Sequence, residues 1–548
     1  MKTTRIFICL GIFFLALFLR LYQLGQLPYG FHVDEAKAAW NAYSILKTGH
    51  DDHGNFLPLY YDSFGDFRPT GIIFAIIPSI LIFGNTVFAT RFPVAFFGAL
   101  SIFPLILIFW QLSRDKDKKY FWIPGLLLAV NPWHIMVSRA TSEVVIALFL
   151  ALFAIYFFLK TIKKATFSSI ILSLLFIGLS YLFYHSIRVL APIFLVAIVV
   201  FYWSEIKIHQ SLKAVLTVVF VAFLMTILLF LDPQARGRLS QVSILSDPKI
   251  RLETINMPNQ EGPGHVLLAR IFHNRPLVVL KDVINEYSNY FSTNFLVGDS
   301  ALPLRYRTQN FGLITYVELL FLVLSLAAAG TKKEVWLPLL LLLISPLPAA
   351  ITNEDTPNLQ RALFMIPFIV LLESYGVIFL LSLKKYSRLL ISVSFLALLL
   401  NFIYFWHFYS NHQKFGLPSY FRNGGAVEIA TKVFQLKDQY SQIILTNSPD
   451  DLYPWFAFLN KINPESFNRS AINRNHGSWT WQNIIFSADK CPSEKISNSV
   501  DINPNKILIV DAEGCQVNST LAKKQNINYL DSIRRPDLSQ PYLLLQKN

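Results

Sequence analysis

Asp34 and Glu35 are the first acidic residues in this sequence, and their types could do chemistry. They stand in Phe31-His32-Val33-Asp34-Glu35, early in a polar segment over 25–70 that follows an apolar run. A second acidic cluster, His50-Asp51-Asp52-His53-Gly54, comes next, and then Asp62, Asp66 and Arg68-Pro69. Carboxylates beside a bilayer are costly to keep there, so the pair calls for a reason. Proton abstraction by an ionised carboxylate is one; a solvated acidic loop is the plain alternative. The 50–53 cluster has donor atoms for a divalent metal but no diagnostic metal spacing, so a metal site and an ordinary loop both stay open.

Cations follow in later segments. Arg139 and Glu143 occur in NPWHIMVSRATSEV, His185 and Arg188 in YHSIRV, and Glu354, Asp355 and Arg361 in TNEDTPNLQRA. Arg188 and Arg361 each open an apolar stretch, where a membrane border would lie. A guanidinium there suits a lipid-linked phosphate through paired hydrogen bonds. Each arginine alone reads equally as a structural ion pair. Their convergence with Asp34 and Glu35 on one face favours a site.

The elements that must position these residues are helices in a membrane. Of the 548 residues 53% are hydrophobic and 15% charged, and the mean hydropathy is +0.44. Soluble domains are less apolar and more charged, so the chain reads as an all-α polytopic membrane protein. The net charge of +14 does not indicate nucleic acid. Lysines gather in short clusters between apolar runs, as the positive-inside rule requires. Three cysteines are too few for a disulfide scaffold. Lys2 and Arg5 precede Ile6 to Leu19 without a small-x-small cleavage site, which reads as an uncleaved first helix.

Apolar segments at about 6–24, 91–111, 120–137, 143–160, 167–184, 187–203, 214–231, 311–330, 335–351, 361–382 and 389–408 give about 11 transmembrane helices. Gly71 to Phe83 is too short to span, contains Pro78, and is expected to lie in the interface or re-enter. The clusters at Arg114–Lys119, Lys160–Lys164, Lys207–Lys213, Lys332–Lys333 and Lys384–Arg388 then share one side. That makes the N-terminus cytoplasmic and the loops 25–70 and 232–310 exoplasmic. Residues 1–410 form the membrane domain and 411–548 a small C-terminal exoplasmic α/β domain. In the latter, Phe421–Leu436 reads as a helix, and Gln442–Thr446 and Lys506–Val510 as buried strands. Cys491 and Cys515 are expected to pair on the oxidising side; Cys9 reads as a small buried apolar residue.

The order of these features resembles the GT-C glycosyltransferases of the protein O-mannosyltransferase and aminoarabinose-transferase type. The residues that carry the resemblance are His32-Val33-Asp34-Glu35, Asp52-x-Gly54-x-x-x-Pro58, Arg68-Pro69, Phe83-Gly84 and Arg91-Phe92-Pro93. Further along come Ser138-Arg139 with Glu143, Tyr184-His185-x-x-Arg188 with Pro192, and Gln360-Arg361 with Pro367. It covers residues 1–410 and departs in two places. Arg68-Pro69-Thr70 replaces a Lys or His followed by two prolines, and Glu143 stands where an Asp is usual.

The resemblance implies a plasma-membrane enzyme that moves a sugar from a polyprenyl-phosphate donor to a protein, lipid or glycan acceptor, with inversion at the anomeric carbon. Such a transfer needs a base for the acceptor hydroxyl and positive charge for the departing phosphate. Asp34 is the expected base, with Glu35 or Glu143 orienting it or the substrate. Arg68, Arg139, Arg188 and Arg361, with His185 beside them, are the expected phosphate contacts. An oligosaccharyltransferase or glycan ligase is the nearest alternative. A transporter would show charges in mid-span or two related halves, and a non-enzymatic assembly factor would need no acidic pair.

Overall fold

A computed structural model of the chain describes residues 2–547 apart from 209–210, 263–265, 331, 384–386, 449, 471–476, 496–505 and 516–525. Lys384 and Lys385, expected to mark one membrane side, lie outside the described residues. The chain divides into two compact units that interleave in sequence. One comprises Met1–Tyr22, Asp66–Pro69 and Val94–Phe408, the other Gln23–Gly65, Thr70–Pro93 and Tyr409–Asn548.

The first unit is helical. Among the described residues, seven helices of the chain are long and apolar enough to cross a bilayer: Thr3–Leu21, Val87–Leu112, Glu143–Lys163, Leu212–Phe230, Lys333–Ala350, Arg361–Ser382 and Arg388–Asn411. A multi-pass, helical membrane region follows. Three further expected spans are helices of 15, 17 and 14 residues, Phe167–Tyr181, His185–Phe201 and Tyr316–Ala329, shorter than the ~20 residues a bilayer core needs. The expected span at 120–137 is broken: Lys118–Val130 and Pro132–Ser138 meet at 56°. Pro132 lacks an N–H and Asn131 is extended, so the helix stops. The Asn131 side chain then caps the next one by accepting from the His134 N–H at 2.9 Å.

Burial separates the centre of this unit from its rim. The Arg361–Ser382 helix is 89% buried over its apolar window, whereas Arg388–Asn411 is 6% and Thr3–Leu21 22% buried. A helix that is apolar all round yet exposed needs an apolar solvent, which a bilayer supplies. Cys9 belongs to this rim; it is half-buried rather than buried, because its helix turns Ile6, Phe7 and Leu10 outward. At the centre, a Cβ on Gly376 would lie 2.0 Å from the Phe321 carbonyl oxygen, so only glycine permits the approach of Ile366–Ser382 to Tyr316–Ala329. One acidic group does sit mid-span. Glu373, in this same helix, is fully buried, and neither carboxyl oxygen has a hydrogen-bond partner among the described residues.

The second unit is α/β. With β1 (Tyr60–Ser63) in this unit and β2 (Asp66–Pro69) in the first, six further strands form one sheet. They are β3 (Gln442–Thr446), β4 (Trp479–Trp481), β5 (Ile484–Ser487), β6 (Ile507–Ala512), β7 (Ile527–Ile533) and β8 (Tyr542–Lys547). The order is β4-β5-β3-β6-β8-β7, with β3 parallel to β5 and β6 and the other pairs antiparallel. Both expected strands are present, and β6 is buried at every residue, as a central strand requires. Its Ile507 and Ile509 pack with Ile527 of β7 and Leu545 of β8 in one apolar cluster. The expected helix at Phe421–Leu436 begins only at Ala426, because Phe421–Gly425 is a run of turns. Cys491 and Cys515 are joined by a disulfide. The same unit contains helices Val33–Thr48 and Gly71–Phe83 from the early chain, and the short helix Tyr453–Leu459.

Candidate active site

Asp34 and Glu35 open the Val33–Thr48 helix, where unsatisfied backbone N–H groups favour negative charge. His32 is the N-cap: its Nδ1 accepts from the Asp34 N–H at 3.1 Å, while Glu35 Oε2 accepts from the His32 N–H at 3.1 Å. This is a capping box with histidine in the serine position. The ring hydrogen of neutral His32 therefore sits on Nε2.

The two neighbouring carboxylates have different fates. Glu35 is buried and takes a two-pronged ion pair from Arg91, Nε to Oε1 at 3.0 Å and Nη2 to Oε2 at 2.8 Å. Arg91, also fully buried, donates further to the carbonyls of Pro28 and Gly30. Asp34 is one-fifth exposed; its Oδ1 accepts from Ser63 Oγ at 3.3 Å and Oδ2 lies 3.3 Å from His32 Nδ1. Glu35 is thus part of the loop's framework, and Asp34 is the more exposed carboxylate of the two.

The 50–53 cluster is built into the same unit. Asp51 Oδ1 accepts from the backbone N–H groups of His53 and Asn55 and closes the turn. His50 Nδ1 contacts the Thr48 carbonyl oxygen. Asp52 is buried against Lys37 at 2.5 Å, accepts from the Tyr453 hydroxyl at 3.1 Å, and faces His53 Nδ1 at 2.9 Å. Among the described residues no group of three or more His, Cys, Asp or Glu is arranged to hold a metal ion. Lys37, unremarked in the sequence, is an amphipathic-looking helix residue that becomes a buried cation.

The cationic candidates lie in the first unit. Arg68 pairs with Asp66 at 2.8 Å; Asp66 also meets Arg238 at 3.0 Å; Arg238 reaches Glu354 at 2.9 Å; and Glu354 meets Arg361. Three guanidinium groups and two carboxylates thus form one continuous chain. Burial alone would raise the Glu354 carboxyl, but Arg238 and Arg361 outweigh it and hold the group below the usual carboxylate range. Arg238, in the long 232–310 segment, was not marked by any pattern in the sequence. His185 reaches the Phe67 carbonyl oxygen through Nε2 at 3.1 Å, and its Nδ1 faces Arg188 Nη1 at 3.2 Å. The arginine can only donate, so the neutral ring carries its hydrogen on Nε2 and anchors β2 between Asp66 and Arg68.

Arg188 also donates twice to the Tyr181 carbonyl, and is buried. Arg139 donates to the carbonyls of Leu19 and Tyr22, each at 2.6 Å, and lies over Trp406 at 5.6 Å. It therefore closes the C-terminal end of the first helix, whose last carbonyls lack helical partners. Glu143 opens the Glu143–Lys163 helix and is buried. The structure thus brings Arg68 and Arg361 into one network, joins His185 and Arg188 to the strand bearing Arg68, and places Arg139 at a helix end.

No family model and no curated protein matches the sequence. Solved structures do. The aminoarabinose transferase ArnT from Cupriavidus metallidurans in its apo state aligns over 100% of this chain and 98% of its own, with TM-score 0.51 and 11% identity. The oligosaccharyltransferase AglB from Archaeoglobus fulgidus, in complex with an inhibitory peptide and a dolichol-phosphate, aligns over 84% of this chain and 64% of its own. Its TM-score is 0.51 at 12% identity. The fold is that of the GT-C glycosyltransferases. At such identities the GT-C likeness concerns architecture, and the chemistry rests on the side chains described above.

Proposed function

We propose that this chain is a membrane glycosyltransferase that moves a sugar from a polyprenyl-phosphate donor to a hydroxyl acceptor. The observation that carries the reading is the unlike fate of two adjacent carboxylates on a GT-C fold. Glu35 is locked by Arg91, while Asp34 stays within reach of solvent at a helix start. In the step proposed, the acceptor oxygen attacks the anomeric carbon as Asp34 takes its proton. The bond from that carbon to the phosphate oxygen breaks, and the phosphate leaves with the electron pair. The guanidinium groups of Arg68, Arg238 and Arg361 are of the type that suits that phosphate, through paired hydrogen bonds. His185 and Arg188 support the strand that bears Arg68, Arg139 secures the first helix, and Glu143 is kept as a group that orients substrate.

The donor class is inferred from the lipid phosphate named for the archaeal neighbour. Likeness to that oligosaccharyltransferase also favours a second reading, transfer of a longer lipid-linked glycan. Purified protein in liposomes, given a radiolabelled polyprenyl-phosphate monosaccharide, tests both. Label transferred to acceptor supports the first reading. Transfer only from a polyprenyl-linked oligosaccharide replaces it with the second, and transfer from neither refutes the glycosyltransferase assignment.

A further inference from the structure

The C-terminal region grips the residues that lead into Asp34 one after another. Glu428 Oε1 accepts from the Tyr29 hydroxyl at 3.1 Å, and Trp455 Nε1 donates to the Phe31 carbonyl at 2.8 Å. Between them Gly30 has φ +90°, and a Cβ there would lie 2.6 Å from the Arg422 carbonyl oxygen. No L side chain fits that approach. The last hold falls on the helix itself. The Val33 N–H, the first of the Val33–Thr48 helix, donates to Asn423 Oδ1 at 3.0 Å. Asn423 Nδ2 in turn donates to Asp450 Oδ2 at 2.6 Å, which fixes which way the amide faces. His32 and Glu35 satisfy neighbouring backbone groups but not this one.

We propose that Asn423 is a positioning residue for Asp34: from the C-terminal region it completes the cap of the helix whose first turn bears the catalytic carboxylate. This rests on the reading of Asp34 as the base. The first-turn backbone sets the direction of the Asp34 side chain, so a frayed start scatters the carboxylate without touching the donor's phosphate contacts. The role of the C-terminal region is then to shape the loop 25–70 for catalysis.

The polarity of the Val33–Asn423–Asp450 relay allows a swap. Asn423→Ala removes the acceptor. Asn423→Asp alone sets two carboxylates against each other. Asn423→Asp with Asp450→Asn restores both hydrogen bonds: the Val33 N–H still donates to residue 423, and donor and acceptor are exchanged only between 423 and 450. In full-length protein in liposomes, Asn423→Ala should exchange the amide hydrogens of residues 33–36 about tenfold faster, the scale of a lost helix cap. The kcat should fall about tenfold with the donor KM within about twofold. The swapped pair should recover both readings, which a merely structural loss of packing would not do. Unchanged exchange in Asn423→Ala overturns the cap. Faster exchange with unchanged kcat, or a swapped pair no better than Asn423→Asp, overturns the positioning role. An Asp34→Asn control that transfers normally refutes the base assignment instead, and the exchange result still decides the cap.

Discussion

At the scale of single residues, Asp34 and Glu35 predict opposite phenotypes. Asp34→Asn keeps the size of the side chain but cannot accept a proton, so on the proposed role of Asp34 as base turnover should fall by about two to four orders of magnitude. Donor binding and melting temperature should stay near wild type, measured on the same purified variant. Glu35→Gln leaves the buried Arg91 guanidinium without its counter-charge. Its loss should appear first as instability, of about 3–5 kcal/mol, read by thermal denaturation in detergent. A third expectation concerns pH. Because Glu354 is held below the usual carboxylate range in the folded state, the unfolded state binds the proton more readily. Its contribution is present above the ordinary glutamate pKa and is lost as pH falls through the lowered one. Melting temperature should therefore drop less steeply with acidification in Glu354→Gln than in wild type, over the range below about pH 4.5.

At the scale of elements, apolar runs were legible because a helix in lipid must satisfy its own backbone. Each expected span holds helix. What the runs concealed was where a helix stops: Asn131-Pro132 carried both the break and the cap, yet apolar residues on either side masked it. The acidic and basic candidates were visible by type, but their roles were not. Glu35 could be told from Asp34 only once Arg91, more than fifty residues later, was seen to lie against it. Lys37 and Arg238 gave no signal, since a buried ion pair depends on partners remote in sequence. Glu373 ran against the expectation that ionisable groups gather at span ends. The contact of Gly376 with the Phe321 carbonyl makes an element-scale prediction. Gly376→Ala must push the Tyr316–Ala329 and Ile366–Ser382 helices apart, costing about 1–3 kcal/mol. Gly330→Ala, with open space around its Cβ, should melt close to wild type.

At the scale of the whole molecule, the seven long apolar helices among the described residues make the chain multi-pass, while its orientation stands as a prediction. The lysine clusters place the N-terminus in the cytoplasm and the C-terminal region outside. A reporter fused after Asn548 should behave as extracytoplasmic and one inserted at Lys118 as cytoplasmic; the reverse pattern in both would invert the topology. The Cys491–Cys515 disulfide accords with an oxidising side for the C-terminal region.

The Val33–Asn423 hydrogen bond spans 390 residues of chain, and this has a bearing on biosynthesis. At about 5–20 residues per second, a ribosome needs roughly 20–80 s after emitting Val33 before Asn423 exists. Throughout that interval the nascent chain has a first helix in the membrane and an acid-bearing helix start that only its own His32 and Glu35 cap. The Val33–Asn423 hydrogen bond then forms in a late event, when the last part of the polypeptide is delivered beside the loop. Products of premature termination, even those containing every transmembrane segment, would lack the Asn423 hold on the start of the Val33–Thr48 helix.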